Sequence, residues 1–160
     1  MTRVKPVGRW ARIIVLQMVT LAASSCAHEG PPPSAAMLSE RSETVNVVLH
    51  EWYVLPDKRS VGAGVITFKI ANQGRTDHEF IVIKTSVPMA DLPVNEKGLN
   101  ERAAGQMIGE IEDVHPGETR EVTYSLQSGN YVLLCNRVER EDHEIVSHYR
   151  RGMHVAFTVR

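Results

Sequence analysis

Cysteine is nearly absent: the 160 residues hold two, Cys26 and Cys135. Two thiols allow one pairing at most, so a disulfide scaffold is excluded as the source of stability. Aromatic residues make up 6% of the chain, which leaves Val, Ile and Leu to build the core and favours strands. No hydrophobic run is long. The best one, from Ile13 to about Ala23, is broken by Gln17 and Thr20 and is about half of the roughly 20 apolar residues a membrane-spanning helix takes. No basic stripe of the kind that binds nucleic acid is present. There is no internal repeat, phosphate-binding loop, nucleophile–base pair or catalytic carboxylate pair, so no enzyme active site is expected.

The N-terminus has the pattern of a targeting segment. Arg3, Lys5, Arg9 and Arg12 precede the short apolar run with no acid among them. Residues 1–26 are therefore expected to be a signal peptide. Leu21-Ala22-Ala23-Ser24-Ser25-Cys26 resembles a lipoprotein signal, which would place a lipid anchor on Cys26, although Ala23 stands where that pattern usually has leucine. Ordinary cleavage after Ala27 is the alternative. Either route exports the protein to the periplasm or the outer cell surface. Removing residues 1–25 takes away four bases and no acids, leaving 14 basic against 19 acidic residues. Cys135 is then a lone thiol in an oxidising compartment, where it serves either as an inert packing group or as a metal ligand.

A Pro-rich linker, residues 27–43 with Pro31-Pro32-Pro33 at its centre, would space the anchor from a single domain of residues 44–160. Within that domain apolar residues recur with period two. Val45, Val47 and Leu49 form one such set; Ile66, Phe68 and Ile70 another; Val122, Tyr124 and Leu126 a third; Val155, Phe157 and Val159 the last. Phe80 to Ile83 and Tyr131 to Leu134 are continuous apolar runs, the mark of strands buried on both faces. Turn residues at Asn72-Gln73-Gly74, Pro116-Gly117-Glu118 and Ser128-Gly129-Asn130 separate them. Residues 95–107 read as the one helical insertion. The expected fold is all-β: a Greek-key sandwich of about seven antiparallel strands, monomeric.

Candidate ligands fall at the strand ends. His78 opens one strand, Cys135 closes another, and His148 and Met153 flank a short turn before the last. Two imidazoles, a thiolate and a long axial thioether are the donor set of a mononuclear type 1 copper site. His50, His115, His28 and His154 belong to no comparable constellation. His143 is an alternative to His148, being closer to Cys135, but it lies between Asp142 and Glu144 in what reads as a solvated loop.

Residues Val65–Lys84, the segment Gly129-Asn130-Tyr131-Val132-Leu133-Leu134-Cys135 and the stretch from His148 through Met153 to Val159 resemble the plastocyanin/azurin-type cupredoxins. That likeness spans essentially Thr44 to Arg160. It implies a blue copper protein that carries single electrons between exported redox partner proteins. Two other roles remain open on the same fold: copper binding or delivery without fast electron transfer, and a metal-free interaction domain. The chain departs from the shorter family loops in the twelve residues from Asn136 to Ser147, read as a charged surface loop. Asn136 is expected to steady that loop.

Overall fold

The computed structural model describes residues 42–141 and 144–160. The expectations for the signal segment, for the linker up to residue 41, for Cys26 and for His143 lie outside the described residues, whereas residues 42 and 43, the linker's last two, are paired in the first strand. In chain order the strands are β1 (Ser42–His50), β2 (Tyr53–Pro56), β3 (Ser60–Val61), β4 (Gly64–Asn72), β5 (His78–Thr85), β6 (Val94–Asn95) and β7 (Gly98–Leu99). A four-residue helix follows, α1 (Glu101–Ala104). Then come β8 (Gln106–Val114), β9 (Thr119–Leu126), β10 (Gly129–Leu134), β11 (Val138–Glu141), β12 (Glu144–Ser147), a second short helix α2 (His148–Arg151) and β13 (His154–Val159).

Two sheets form the sandwich, one ordered β2-β1-β4-β9 and the other β3-β13-β10-β5-β8. The period-two residues do what their spacing requires. Val45, Val47 and Leu49 from β1, Ile66, Phe68 and Ile70 from β4, and Phe157 and Val159 from β13 all point into one buried core between the sheets. Phe68 sits at its centre, its ring 5.3 Å from Phe80 and 5.7 Å from Phe157. Pairing is antiparallel except between β1 and β4 and between β13 and β3, which run parallel. The expected turns close as their residues demand: Glu118 donates its N–H to the His115 carbonyl across Pro116-Gly117, and Asn72 accepts the Gly74 N–H on its side-chain oxygen.

The strand β5 is buried on both faces for a specific reason. Phe80 and Val82 face the sandwich core, while Ile81 and Ile83 face a second apolar cluster with Val132, Leu134, Leu92, Leu99, Ala104 and Tyr149. The insertion between β5 and β8, together with α2, therefore covers the outer face of the five-stranded sheet.

That insertion is not the expected helix over residues 95–107. Gly98 takes a left-handed φ of 126°, which breaks any helix there. Asn95 and Gly98 pair in a tiny hairpin instead, α1 has one turn, and β8 already begins at Gln106. The loop after Cys135 is also more ordered than its charge suggested. Val138 to Glu141 pairs antiparallel with Glu144 to Ser147, and Val146 and Ser147 are buried.

Candidate metal centre

The antiparallel pairing of β5 and β10 decides which side chains meet. Leu134 lies opposite Ile81, so the C-terminal end of β10 and the N-terminal end of β5 share one edge of the sheet. His78 and Cys135 project from that edge. The Cys135 N–H donates to the Met153 carbonyl at 2.9 Å, and the Met153 N–H donates to the His148 carbonyl at 3.1 Å. These two bonds hold the final ligand turn against the end of β10.

Local sequence shapes that turn. Ser147 caps α2 by accepting the Arg150 N–H. Gly152 ends it at φ 120°, donating its N–H to the Tyr149 carbonyl at 3.0 Å. A Cβ on Gly152 would lie 3.1 Å from the Trp52 carbonyl oxygen. The chain can thus reverse between His148 and Met153 only because residue 152 has no side chain.

His78, Cys135 and His148 converge in a fully buried cluster. The two Nδ1 atoms are 3.2 Å apart, and Cys135 Sγ lies 3.3 Å from His148 Nδ1 and 4.0 Å from His78 Nδ1. With metal–nitrogen bonds of about 2.0 Å and a metal–sulfur bond of about 2.3 Å, a trigonal plane separates its nitrogens by roughly 3.5 Å and each nitrogen from sulfur by roughly 3.8 Å. The observed triangle has those dimensions to within about half an ångström. Both imidazoles present the same nitrogen, Nδ1, to the common point. Both Nε2 atoms face away, buried and without a hydrogen-bond partner. The donors fit a single soft-to-intermediate ion such as copper, and the thiolate-plus-imidazole set disfavours a hard ion.

Met153 is fully buried in the same core cluster as Cys135, joined to both Cys135 and His148 through its backbone. His50 is not in the cluster; it stacks on Tyr53 and its Nδ1 lies 3.2 Å from Glu51 Oε2. His154 stacks on Tyr149, and His115 pairs with Asp77 at 2.9 Å.

Electrostatics keep the cluster neutral without a metal. Burial pushes the His78 imidazole down to about 4, and the neighbouring His148 adds to this. Burial likewise lowers His148. The Cys135 thiol is pushed up to about 12 by burial, against the opposing pull of the Glu79 and Arg137 backbone N–H groups. The Glu79 N–H reaches Sγ at 3.4 Å, an acceptor contact that a thiolate would strengthen.

Groups that sequence reasoning did not single out surround the ligands. Trp52 packs edge-on against His148 with ring centroids 5.1 Å apart, and the Arg151 guanidinium covers Trp52 at 5.5 Å. Glu51 and Glu139 approach the two outward Nε2 atoms. Asn136 does more than the loop position suggested. Its side chain accepts the Leu99 N–H at 2.8 Å and donates to the Leu99 carbonyl at 3.0 Å and to Glu101 at 2.7 Å. The residue after Cys135 is thereby clamped to the covering insertion. No local motif marks Trp52 or Glu51, since their role depends on the tertiary approach of the β1–β2 corner.

A two-sheet sandwich with a buried His–Cys–His cluster at one edge is the cupredoxin fold. The chain is similar to the dithionite-reduced auracyanin from the photosynthetic bacterium Roseiflexus castenholzii, with 20% identity, a TM-score of 0.51, and coverage of 76% of this chain and 98% of that one. Auracyanin B gives 19% identity and a TM-score of 0.51 over 74% of this chain and 88% of its own. Auracyanin A, a "blue" copper protein from Chloroflexus aurantiacus, gives 18% identity and a TM-score of 0.49 over 75% and 100%. No protein-family model and no curated protein matches the chain.

Proposed function

We propose that this protein is an exported carrier of single electrons, binding one copper ion through His78, Cys135 and His148 with Met153 as the weak axial donor. The observation that carries the reading is the convergence of two Nδ1 atoms and one Sγ within 4.8 Å of one another in a fully buried site. Bound copper would supply one-electron exchange between Cu(I) and Cu(II). The chain's own residues hold the donors at nearly fixed separations, so little rearrangement accompanies a change of charge. The hydrogen bonds of Asn136 and of the Cys135–Met153 backbone resist movement of the ligand turn. Trp52 and the β11–β12 hairpin exclude water from His148. A closed, buried donor set also favours a resident ion over one in transit to another protein. The leader-like N-terminus supports export, with Cys26 as the lipid attachment point, and the partners are other exported redox proteins rather than nucleic acid.

The test is addition of Cu(II) to the metal-free protein. An intense visible thiolate-to-copper band is expected, lost in Cys135→Ser and retained in Met153→Leu with a raised reduction potential. Tight but colourless binding would replace the electron-carrier reading with copper delivery. Absence of binding would leave a metal-free interaction domain.

A further inference from the structure

We propose that Glu51 and Glu139 are paired positioning residues, each accepting the outward Nε2–H of one ligand imidazole and together favouring the oxidised ion; this rests on the copper reading above. Once Nδ1 binds a metal, a neutral imidazole carries its proton on Nε2, and that N–H needs an acceptor. Both Nε2 atoms are buried without one. An unmet buried donor costs about 1–3 kcal/mol.

One carboxylate stands before each. Glu51 Oε1 is 3.6 Å from His78 Nε2, and Glu139 Oε1 is 3.7 Å from His148 Nε2. A closing movement of about 0.7–1 Å, within reach of a carboxylate side-chain rotation, brings each into the charge-assisted hydrogen-bond range of about 2.7–2.9 Å. Glu51 also has a buried oxygen, Oε2, with no hydrogen-bond partner. That oxygen lies 3.2 Å from His50 Nδ1, so it is Oε1, already held by Arg75 and Thr76, that faces the unmatched His78 donor.

Each carboxylate is held from behind. Glu51 accepts the backbone N–H groups of Arg75 at 2.6 Å and Thr76 at 2.9 Å, and the Thr76 hydroxyl at 3.3 Å. Glu139 accepts from Arg137 Nε at 3.0 Å, and Arg137 is anchored on Asp113 at 2.6 Å with Asp77 at 3.7 Å. Space is reserved for the first contact. A Cβ on Gly74 would come within 2.5 Å of Glu51 Oε1 and 2.9 Å of His78 Nε2. The long insertion between Cys135 and His148 acquires a purpose in this arrangement. It forms the hairpin that delivers Glu139 to the second imidazole.

A carboxylate behind an imidazole makes the ring a stronger donor and places negative charge near the ion. Both effects favour Cu(II) over Cu(I). Removing either charge should weaken Cu(II) binding about 10–100-fold and Cu(I) binding less. Each tenfold difference between the two losses raises the potential by about 59 mV.

The experiment uses Glu51→Gln, Glu139→Gln and the double variant beside the parent. The control is Glu121→Gln, which removes a surface charge facing Lys69 on β4. Cu(II) and Cu(I) affinities are measured by chelator competition and the potential by voltammetry, with circular dichroism to check the fold. Both single variants should keep the visible band, bind Cu(II) more weakly and have raised potentials, and the double variant should exceed either. Glu51→Asp and Glu139→Asp, which keep the charge, should recover part of the loss. Equal weakening of both oxidation states with an unchanged potential overturns the proposal by reducing the two residues to structural props. So does a potential that matches the control. If Glu51→Gln fails to fold, Glu139→Gln on the hairpin decides alone. A coloured parent with unaltered variants refutes this inference and leaves the copper reading standing. A parent that takes up no copper overturns both.

Discussion

Metal uptake should release one proton per ion, and Cys135 should be its source. Burial holds the metal-free thiol protonated, up to about 12, and drives His78 down to about 4 with His148 lowered by the same cause. At pH 8 to 10 the metal-free site therefore contains two neutral imidazoles and one thiol. Only the thiol must lose a proton to become a ligand. Glu79 lies close to Sγ, but its carboxyl is pushed up only to about 7 by burial, despite the Asn136 N–H, so it is ionised throughout this range. The apparent affinity should rise about tenfold per pH unit, equivalent to about 1.36 kcal/mol, or roughly 100-fold from pH 8 to pH 10. Anaerobic Cu(I) titration calorimetry in buffers of different ionisation enthalpy counts the protons directly. The expected count is one, falling to zero in Cys135→Ser if any binding survives. A count near zero in the parent would mean that the thiol is already ionised. A count near two would mean that an imidazole starts protonated. Either result refutes the derivation.

Glu79→Gln should alter the pH dependence of the metal-free fold. The raised Glu79 value means that the parent's stability from this group is full below pH 4.5 and is lost as pH rises through about 7, by about 3 kcal/mol at most. The lowered His78 acts oppositely, its cost of folding disappearing as pH rises from about 4 to 6.5. His148, lowered by the same cause, adds to the His78 trend, so in the parent Glu79 opposes part of the rise and Glu79→Gln should climb more steeply from pH 4.5 to 6.5; parallel urea-midpoint curves for the two proteins would contradict the assignment. Gly152→Ala should cost about 1–3 kcal/mol through its left-handed backbone and displace the ligand turn away from Trp52, weakening copper binding as well. Unchanged unfolding midpoints and copper affinity would remove Gly152 from the account.

The sandwich was legible because period two is a direct record of burial. Val45, Val47 and Leu49 alternate along the chain and enter one core, and the residues between them do not. The continuous run from Phe80 to Ile83 carried a further signal, since a strand apolar on both sides must be covered twice. The segment that covers its second side is not the helix expected there. Residues 95–107 contain good helix formers, and local propensity argued for a helix. The left-handed Gly98 and the need to lay Leu92, Leu99 and Ala104 onto the outer sheet face outweighed that preference. Propensity is a weak prior against such tertiary demands.

The site divides in the same way. His78, Cys135 and His148 could be picked out because they stand at strand ends in an order that suits one set of donors. Their Nδ1 and Sγ atoms meet because β5 and β10 are antiparallel neighbours, a pairing that no pattern along the chain specifies. The surroundings of the donors follow from no such rule. Glu51 lies 27 positions before His78, and only the corner between β1 and β2 brings it to Nε2. Glu139 belongs to a run of charges that reads as solvated surface, yet the register placing Glu139 opposite Val146 puts both on one face of the hairpin. Val146 is buried, so that face points inward and carries the carboxylate toward His148. Of the loop's three apolar residues, Val138, Ile145 and Val146, Val146 alone is buried. It identifies the inward face once the hairpin is recognised, and nothing in the local sequence identifies the hairpin.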